Sequence, residues 1–200
     1  MLFFKTNLFI LIIIIIIIVI LTNIKFSRKK KIIENYKNDI YYVNNLPNSL
    51  NAADLLSKII STLEYLTNKI IDEYNNEKNT NDEEFIKYIK VINEKFPNII
   101  IKENALNNNY TSYSVNKGEE IVLCIRDKNT KELHDYNDLL YIAIHELSHI
   151  GCPEYGHTDI FFKINYYLLK KAIKYNLYKY VDYSKVNKPY CGIKLTSTIL

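Results

Sequence analysis

The stretch LLYIAIHELSHIGCPEYGHTDIFFK, from Leu139 to Lys163, contains three of the four histidines of this 200-residue chain. His145 and His149 are four residues apart, so in a helix they share one face and can bind the same metal ion. Glu146 follows the first histidine and can take a proton from a water in the open coordination position. The residues around this HExxH motif are apolar, which predicts a buried helix. The alternative is that both histidines are ordinary polar residues of a half-buried helix.

The expected third metal ligand is His157, because a catalytic zinc site uses three protein ligands and keeps one position open. It lies eight residues after His149, beyond a turn predicted from Gly151, Pro153 and Gly156. The alternative ligands are Glu154 and Asp159, or Cys152, which would give a closed structural site. His134 lies outside the cluster and is expected to be a surface or loop histidine.

The N-terminal segment is the second distinctive feature, because the run from Leu8 to Leu21 is apolar throughout and includes seven consecutive isoleucines. A helix needs roughly 20 apolar residues to span a bilayer. Residues 1–31 therefore predict a transmembrane anchor with a basic flank, in contact with lipid through residues 8–24. The alternatives are a soluble core helix or a cleaved signal peptide, although no small-residue cleavage site follows the run.

Charge is distributed unevenly along the chain. Residues 1–31 carry six basic residues and no acidic one, so the other 169 residues carry a net charge of −2 within a total of +4. A basic nucleic-acid-binding face is therefore not expected on the folded part. The basic flank C-terminal to the anchor predicts a single-pass membrane protein whose catalytic domain faces the cytosol or the interior of a virion. Three widely spaced cysteines indicate reduced thiols in such a compartment.

The remaining chain divides into a polar linker, residues 32–48, and a domain of residues 49–200. Helical periodicity begins near Ser49 or Asn51, and a second helix begins at Asn81. Three strands, the histidine helix and a last helix from about residue 158 follow, and this order predicts a small α+β domain. Its apolar strand Glu120 to Arg126 could align a substrate if it lies at the sheet edge, the alternative being a core strand.

The segment HELSHIGCPEYGHTDIFFKINYYLLKKA resembles the compact SprT-like and WLM-type zinc metallopeptidases of the minigluzincin type. These have HExxH, a short loop, and a third histidine followed by a phenylalanine and an apolar helix, here His157, Phe161 and Leu168. The tail VDYSKVNKPYCGIKLTSTIL is similar to the ending of WLM-like proteins encoded by large DNA viruses. The resemblance covers residues 135–200 well and residues 81–131 loosely. It implies a small zincin-like fold with a short sheet and the HExxH motif on a helix.

The chain departs from two related groups. Cys152 and Tyr155 stand where the metzincin pattern has a glycine and its third histidine. Unlike the cellular peptidases that cleave DNA-bound proteins, the chain has no basic DNA-binding segment or zinc ribbon after the motif, so no nucleic-acid partner is expected.

These patterns together predict a membrane-anchored metallopeptidase. Zn²⁺ would be bound by His145, His149 and His157, and Glu146 would be the general base that acts on a protein or peptide substrate. One alternative is a catalytically silent zinc-binding membrane scaffold or interaction protein of a virion. Another is a zinc hydrolase that acts on a non-peptide substrate, because it would use the same site and differ only in its pocket.

Overall fold

A mixed sheet of five strands carries the fold in the computed structural model, which describes residues 12–15, 31–36, 39–77 and 82–196. The strands are β1 (Lys31–Tyr36), β2 (Asp39–Val43), β3 (Ile100–Glu103), β4 (Tyr113–Val115) and β5 (Glu120–Leu123). Their order is β1-β2-β3-β5-β4, with β2, β3 and β5 parallel and the two outer strands antiparallel to their neighbours. Within the described residues β4 is an edge strand, whereas β5 pairs on both sides.

Helices pack against the sheet and lie between some of its strands in the sequence. They are α1 (Ser49–Glu77), α2 (Glu83–Lys95), α3 (Tyr136–Gly151), α4 (Asp159–Lys174) and the short α5 (Tyr183–Val186). After them, β6 (Lys188–Tyr190) and β7 (Ile193–Leu195) form an antiparallel hairpin. Because α1 and α2 form the crossover between the parallel strands β2 and β3, the described fold is mixed α/β, which corrects the predicted α+β class.

The central element is α3, the helix that bears HExxH. It packs against α1, α2 and α4 and against β4 and β5. Asp135 caps its start by accepting a hydrogen bond from the backbone N–H of Asn137 at 2.8 Å. Five of its apolar side chains have no exposed surface: Leu139, Leu140, Ala143, Ile144 and Leu147. This burial fixes the face on which the histidines emerge.

Gly151 differs from its expected role as a turn residue, because it is the last residue of α3. A Cβ atom at this position would lie 2.9 Å from the carbonyl oxygen of Tyr88 and from Cδ1 of Ile92, both in α2. The glycine therefore allows the end of α3 to approach α2 closely. The turn itself depends on Gly156, whose φ is +81°.

The segment predicted as a linker, residues 32–48, contributes strands to the sheet. It contains most of β1 and all of β2, and β2 pairs with β3 in parallel. Tyr41 and Val43 are buried while Ile40 is exposed, so β2 has the alternation of a strand with one face on the core. β2 is short and its neighbours in the sequence are polar, so this alternation is too brief to predict a strand from the sequence.

The predicted transmembrane helix is not borne out. No helix in the described ranges is both long enough and apolar enough to cross a membrane. Most of the predicted span, residues 8–24, lies outside the described residues, and the helical turn at residues 12–15 would cover only about 6 Å of the roughly 30 Å required. The 29-residue α1 has the length but carries charged residues such as Lys58 and Glu64. This finding overturns both the anchored fold class and the predicted single-pass localisation facing the cytosol or a virion interior.

The prediction of three reduced thiols is also wrong. Cys124, directly after β5, forms a disulfide with Cys191 in the turn of the β6–β7 hairpin, with their Cα atoms 6.2 Å apart. Cys152 is a free, buried thiol. The disulfide joins residues 67 positions apart and fastens the C-terminal hairpin to the sheet.

Reduction of this disulfide is expected to destabilise the fold by about 4 kcal/mol, because the loop it closes in the unfolded chain is long. The measurement is urea unfolding of the full chain with and without reductant. The Cys124→Ser/Cys191→Ser double variant should match the reduced wild type, and Cys152→Ala should keep the sensitivity to reductant. Equal unfolding midpoints for oxidised and reduced wild type would contradict this expectation.

Candidate metal centre

Three imidazoles converge at the C-terminal half of α3. Each of His145, His149 and His157 offers one ring nitrogen, and these nitrogens lie within 4.8 Å of one another. The Nε2 atoms of His145 and His157 are 3.0 Å apart. The first two side chains come from successive turns of one helix, and the third comes from the residue that precedes the N-cap of α4.

The spacing of these nitrogens suits a small divalent ion. A tetrahedral ion bound at about 2.1 Å from each nitrogen sets neighbouring ligand nitrogens about 3.4 Å apart. The nitrogens of His145 and His157 are 3.0 Å apart, and all three nitrogens lie within 4.8 Å of one another, a range that includes this spacing. The chemistry of three imidazoles suits Zn²⁺ or another first-row transition metal ion.

Phe161 supports the three imidazoles from below. Its ring is fully buried, stacks on His149 with centroids 4.1 Å apart, and lies 4.9 Å from both other histidine rings. Its backbone N–H donates to the side chain of the N-cap residue Thr158, which fixes the first turn of α4. The residue one turn beyond His157 thus holds all three rings in one arrangement.

Burial and mutual repulsion keep the two helical histidines uncharged. Desolvation, followed by the proximity of His149 and His157, lowers the pKa of His145 to about 3. Desolvation also lowers the pKa of His149 to about 4, with smaller contributions from His157 and Lys117. Neutral imidazoles have a free lone pair at neutral pH, which is the form that binds a metal ion.

Glu146 lies beside the histidines in a largely water-excluded position. It is 6% exposed, and desolvation raises the pKa of its carboxyl group to about 7, against the opposing effect of hydrogen bonds from Ser114. Ser114 lies in β4, so the edge strand and α3 meet at this carboxylate. The sequence pattern did not identify Ser114, since no motif links it to a helix thirty residues away.

Lys117 holds the loop between the second and third histidines. Its Nζ donates to the carbonyl oxygens of Cys152 at 2.9 Å and Pro153 at 2.6 Å. The same ammonium lies 4.2 Å from the ring centroid of Tyr155. None of the alternative ligands, Cys152, Glu154 and Asp159, belongs to the metal-binding cluster of the described residues.

A cleft of about 490 Å³ opens above the three histidines. Tyr113 and Ser114 of β4 line one side, and Ile142 of α3 lies at its base. Tyr190 and Ile193 of the C-terminal hairpin complete the wall. The Tyr-Cys-Gly tail therefore borders the cleft, and the disulfide at Cys191 fastens this wall in place.

His134 lies in the loop before α3, as one of the two expected placements has it, and is a half-buried residue that supports the hairpin. Its Nε2 accepts a hydrogen bond from the backbone N–H of Cys191 at 3.3 Å, and its ring lies 4.9 Å from that of Tyr190. The hydroxyl of Tyr190 is in turn 2.7 Å from that of Ser112. Burial lowers the pKa of His134, so its neutral ring can accept this bond.

Comparison with known proteins finds relatives encoded by viruses. The chain is 38% identical over 179 residues to uncharacterized protein R325 of Acanthamoeba polyphaga mimivirus, covering 87% of this chain and 88% of that protein. It is 45% identical over 67 residues to uncharacterized protein 042R of Invertebrate iridescent virus 3, covering 34% and 42% of the two chains. It is 38% identical over 81 residues to uncharacterized protein 136R of Invertebrate iridescent virus 6, covering 40% and 45%.

No family model matches the chain. No solved structure matches it either. The two iridescent virus proteins are matched over less than half of their length, whereas the mimivirus protein is matched over nearly its whole length. The chain therefore belongs to the same family as uncharacterized protein R325 of Acanthamoeba polyphaga mimivirus.

Proposed function

We propose that the chain is a zinc-dependent metallopeptidase that hydrolyses peptide bonds of a protein or peptide substrate. The observation that carries the proposal is the convergence of three histidine nitrogens within 4.8 Å beside the buried carboxylate of Glu146, at the base of an open cleft. Three histidines leave a fourth coordination position free, as a hydrolytic zinc site requires. The resemblance of the motif region to SprT-like and WLM-type peptidases supports the same reaction class.

Each residue has a defined role in this proposal. His145, His149 and His157 would hold Zn²⁺, and the chemistry that the ion would supply there is a lowered pKa of water, roughly 7, and polarisation of a carbonyl oxygen. Glu146 accepts the proton of the attacking water and then delivers it to the leaving amine. Glu146 is 6% exposed and lies beside the histidines, so its carboxylate is placed to take a proton from water and to return it.

The substrate is aligned by β4 in this proposal. β4 is the edge strand nearest the histidines, and its residues Tyr113 and Ser114 line the cleft. An extended peptide can pair with the unpaired edge of such a strand. The strand Glu120 to Arg126 could take this role only if it lay at the sheet edge. β5 lies between β3 and β4, so the alternative of a core strand is correct.

The direct test is chelator-sensitive cleavage of an unstructured protein by the full chain. We expect cleavage by the protein as purified, its loss after treatment with a zinc chelator, and its return when stoichiometric Zn²⁺ is added. A chain that binds one Zn²⁺ and leaves unstructured proteins intact would contradict the peptidase proposal and favour a silent zinc-binding scaffold. A chain that binds no Zn²⁺ would contradict the metal site itself.

A further inference from the structure

Asn165 is a fully buried polar residue in α4 whose side chain contacts the ring of His145 at Nδ1. It has no exposed surface, and its Nδ2 atom lies 3.5 Å from Nδ1 of His145. Its other amide atom, Oδ1, lies 3.3 Å from the hydroxyl of Ser148. That hydroxyl donates at 2.7 Å to the carbonyl oxygen of Ile144. The residues therefore form a chain from the backbone of α3 through Ser148 and Asn165 to His145.

Two orientations of the Asn165 amide satisfy this chain, and they suit different tautomers of His145. In the first, Nδ2 of Asn165 donates to an unprotonated Nδ1 of His145, and the Ser148 hydroxyl donates to Oδ1 of Asn165. The carbonyl oxygen of Ile144 still accepts the backbone N–H of Ser148 within α3. This orientation places the proton of a neutral His145 on Nε2, where it blocks the binding of a metal ion.

A half-turn of the amide suits the other tautomer of His145, with the proton on Nδ1. Nδ2 of Asn165 then donates to the hydroxyl oxygen of Ser148. The Ser148 hydroxyl in turn donates to the carbonyl oxygen of Ile144. Oδ1 then faces Nδ1 of His145 and accepts a hydrogen bond from it if that nitrogen carries the proton. The two ends of a carboxamide have nearly the same size and shape, so the half-turn needs no other movement.

The proton is required on Nδ1 when His145 holds a metal ion. Its Nε2 is the nitrogen that faces the other imidazoles, 3.0 Å from Nε2 of His157, so Nε2 supplies the lone pair. A neutral imidazole that uses Nε2 as a ligand carries its proton on Nδ1 and needs an acceptor there. The amide oxygen of Asn165 is placed to be that acceptor.

We propose that Asn165 is a positioning residue that fixes the tautomer and the ring orientation of His145, and that Ser148 holds the other end of the amide in place. This inference rests on the proposed function, since it assigns a support to one ligand of the proposed zinc site. It also explains why a serine occupies position 148 within HELSH, and why the polar residue Asn165 lies on the buried, largely apolar face of α4. Outer ligand partners of this kind commonly contribute 10–100-fold to metal affinity.

The test is the zinc affinity of the full chain, measured by competition with a chromogenic chelator. Asn165→Leu, which removes the acceptor but keeps a side chain of similar size, should weaken zinc binding about 10–100-fold. Asn165→Asp should restore affinity to within a few-fold of wild type, because a carboxylate oxygen also accepts from Nδ1–H. Similar unfolding midpoints of the two metal-free variants would exclude a general loss of packing as the cause of the difference.

If Asn165→Leu does not fold, nuclear magnetic resonance of the wild type tests the same inference. In the zinc-loaded full chain with nitrogen-labelled histidine, His145 should show a slowly exchanging Nδ1–H. A His145 that binds zinc through Nδ1, or unchanged zinc affinity in Asn165→Leu, would overturn the inference and leave the proposed function standing. Absence of zinc binding by the wild type would instead remove the proposed function.

Discussion

Glu146→Gln is expected to reduce peptide hydrolysis by about 10²–10⁴-fold, the usual contribution of a positioned general base, and to leave zinc binding unchanged. The amide has the size of the carboxylate and can still accept a hydrogen bond from Ser114, so the site should keep its shape. It cannot accept a proton from water at neutral pH. Glu146 is not a member of the histidine cluster, so removal of its charge should not remove a ligand.

The measurement pairs initial cleavage rates on an unstructured protein with elemental analysis of the same samples. Glu84→Gln, the same substitution at an exposed position of α2, is the matched control and should cleave at the wild-type rate. Loss of zinc together with activity in Glu146→Gln would mean that the substitution damaged the site. Full activity with zinc retained would show that Glu146 is not the base.

The histidine arrangement could be predicted because its geometry is local. His145 and His149 are separated by four residues, and this separation alone brings two side chains together on any helix. His157 follows within one short loop, so few conformations could have placed it elsewhere. Whether this arrangement binds Zn²⁺ stays a prediction until metal content is measured.

The residues that support the histidines could not be predicted, because tertiary packing brings them there. Ser114 reaches Glu146 only because β4 lies at the sheet edge beside α3. Asn165 did offer a signal, since it interrupts the apolar face of α4 between Ile164 and Leu168. A buried amide needs a polar partner, but the sequence does not identify which one.

Pairings between distant parts of the chain were likewise hidden from the sequence. The disulfide joins cysteines 67 residues apart, and neither spacing nor number identifies the pair among three cysteines. α1 and α2 separate β2 from β3 along the chain, so the sequence near residues 39–43 does not indicate which strand β2 pairs with. The run of isoleucines led to a wrong prediction of a membrane span, because it was interpreted from local hydropathy alone.

His157→Ala is expected to weaken zinc binding by more than the roughly 10–100-fold that loss of an outer partner costs, because it removes a direct ligand. Among the described residues, no other His, Cys, Asp or Glu belongs to the three-histidine cluster. Lys117 donates to the carbonyl oxygens of Cys152 and Pro153, which restrains the backbone of the loop that carries Cys152 and Glu154. The measurement is zinc content and affinity of the full chain, purified without chelator.

His134→Ala is the matched control for this prediction, because it removes the one histidine outside the cluster. It should keep about one zinc per chain. It should also lower the unfolding temperature, since the backbone N–H of Cys191 loses its acceptor and the hairpin loses the ring packed on Tyr190. We expect His157→Ala to lose zinc and His134→Ala to lose stability of the hairpin. This difference would show that His157 is a metal ligand and that His134 is a structural support. Zinc retained at wild-type affinity in His157→Ala would mean that the ion is held elsewhere, and the three-histidine geometry would then not be the metal site.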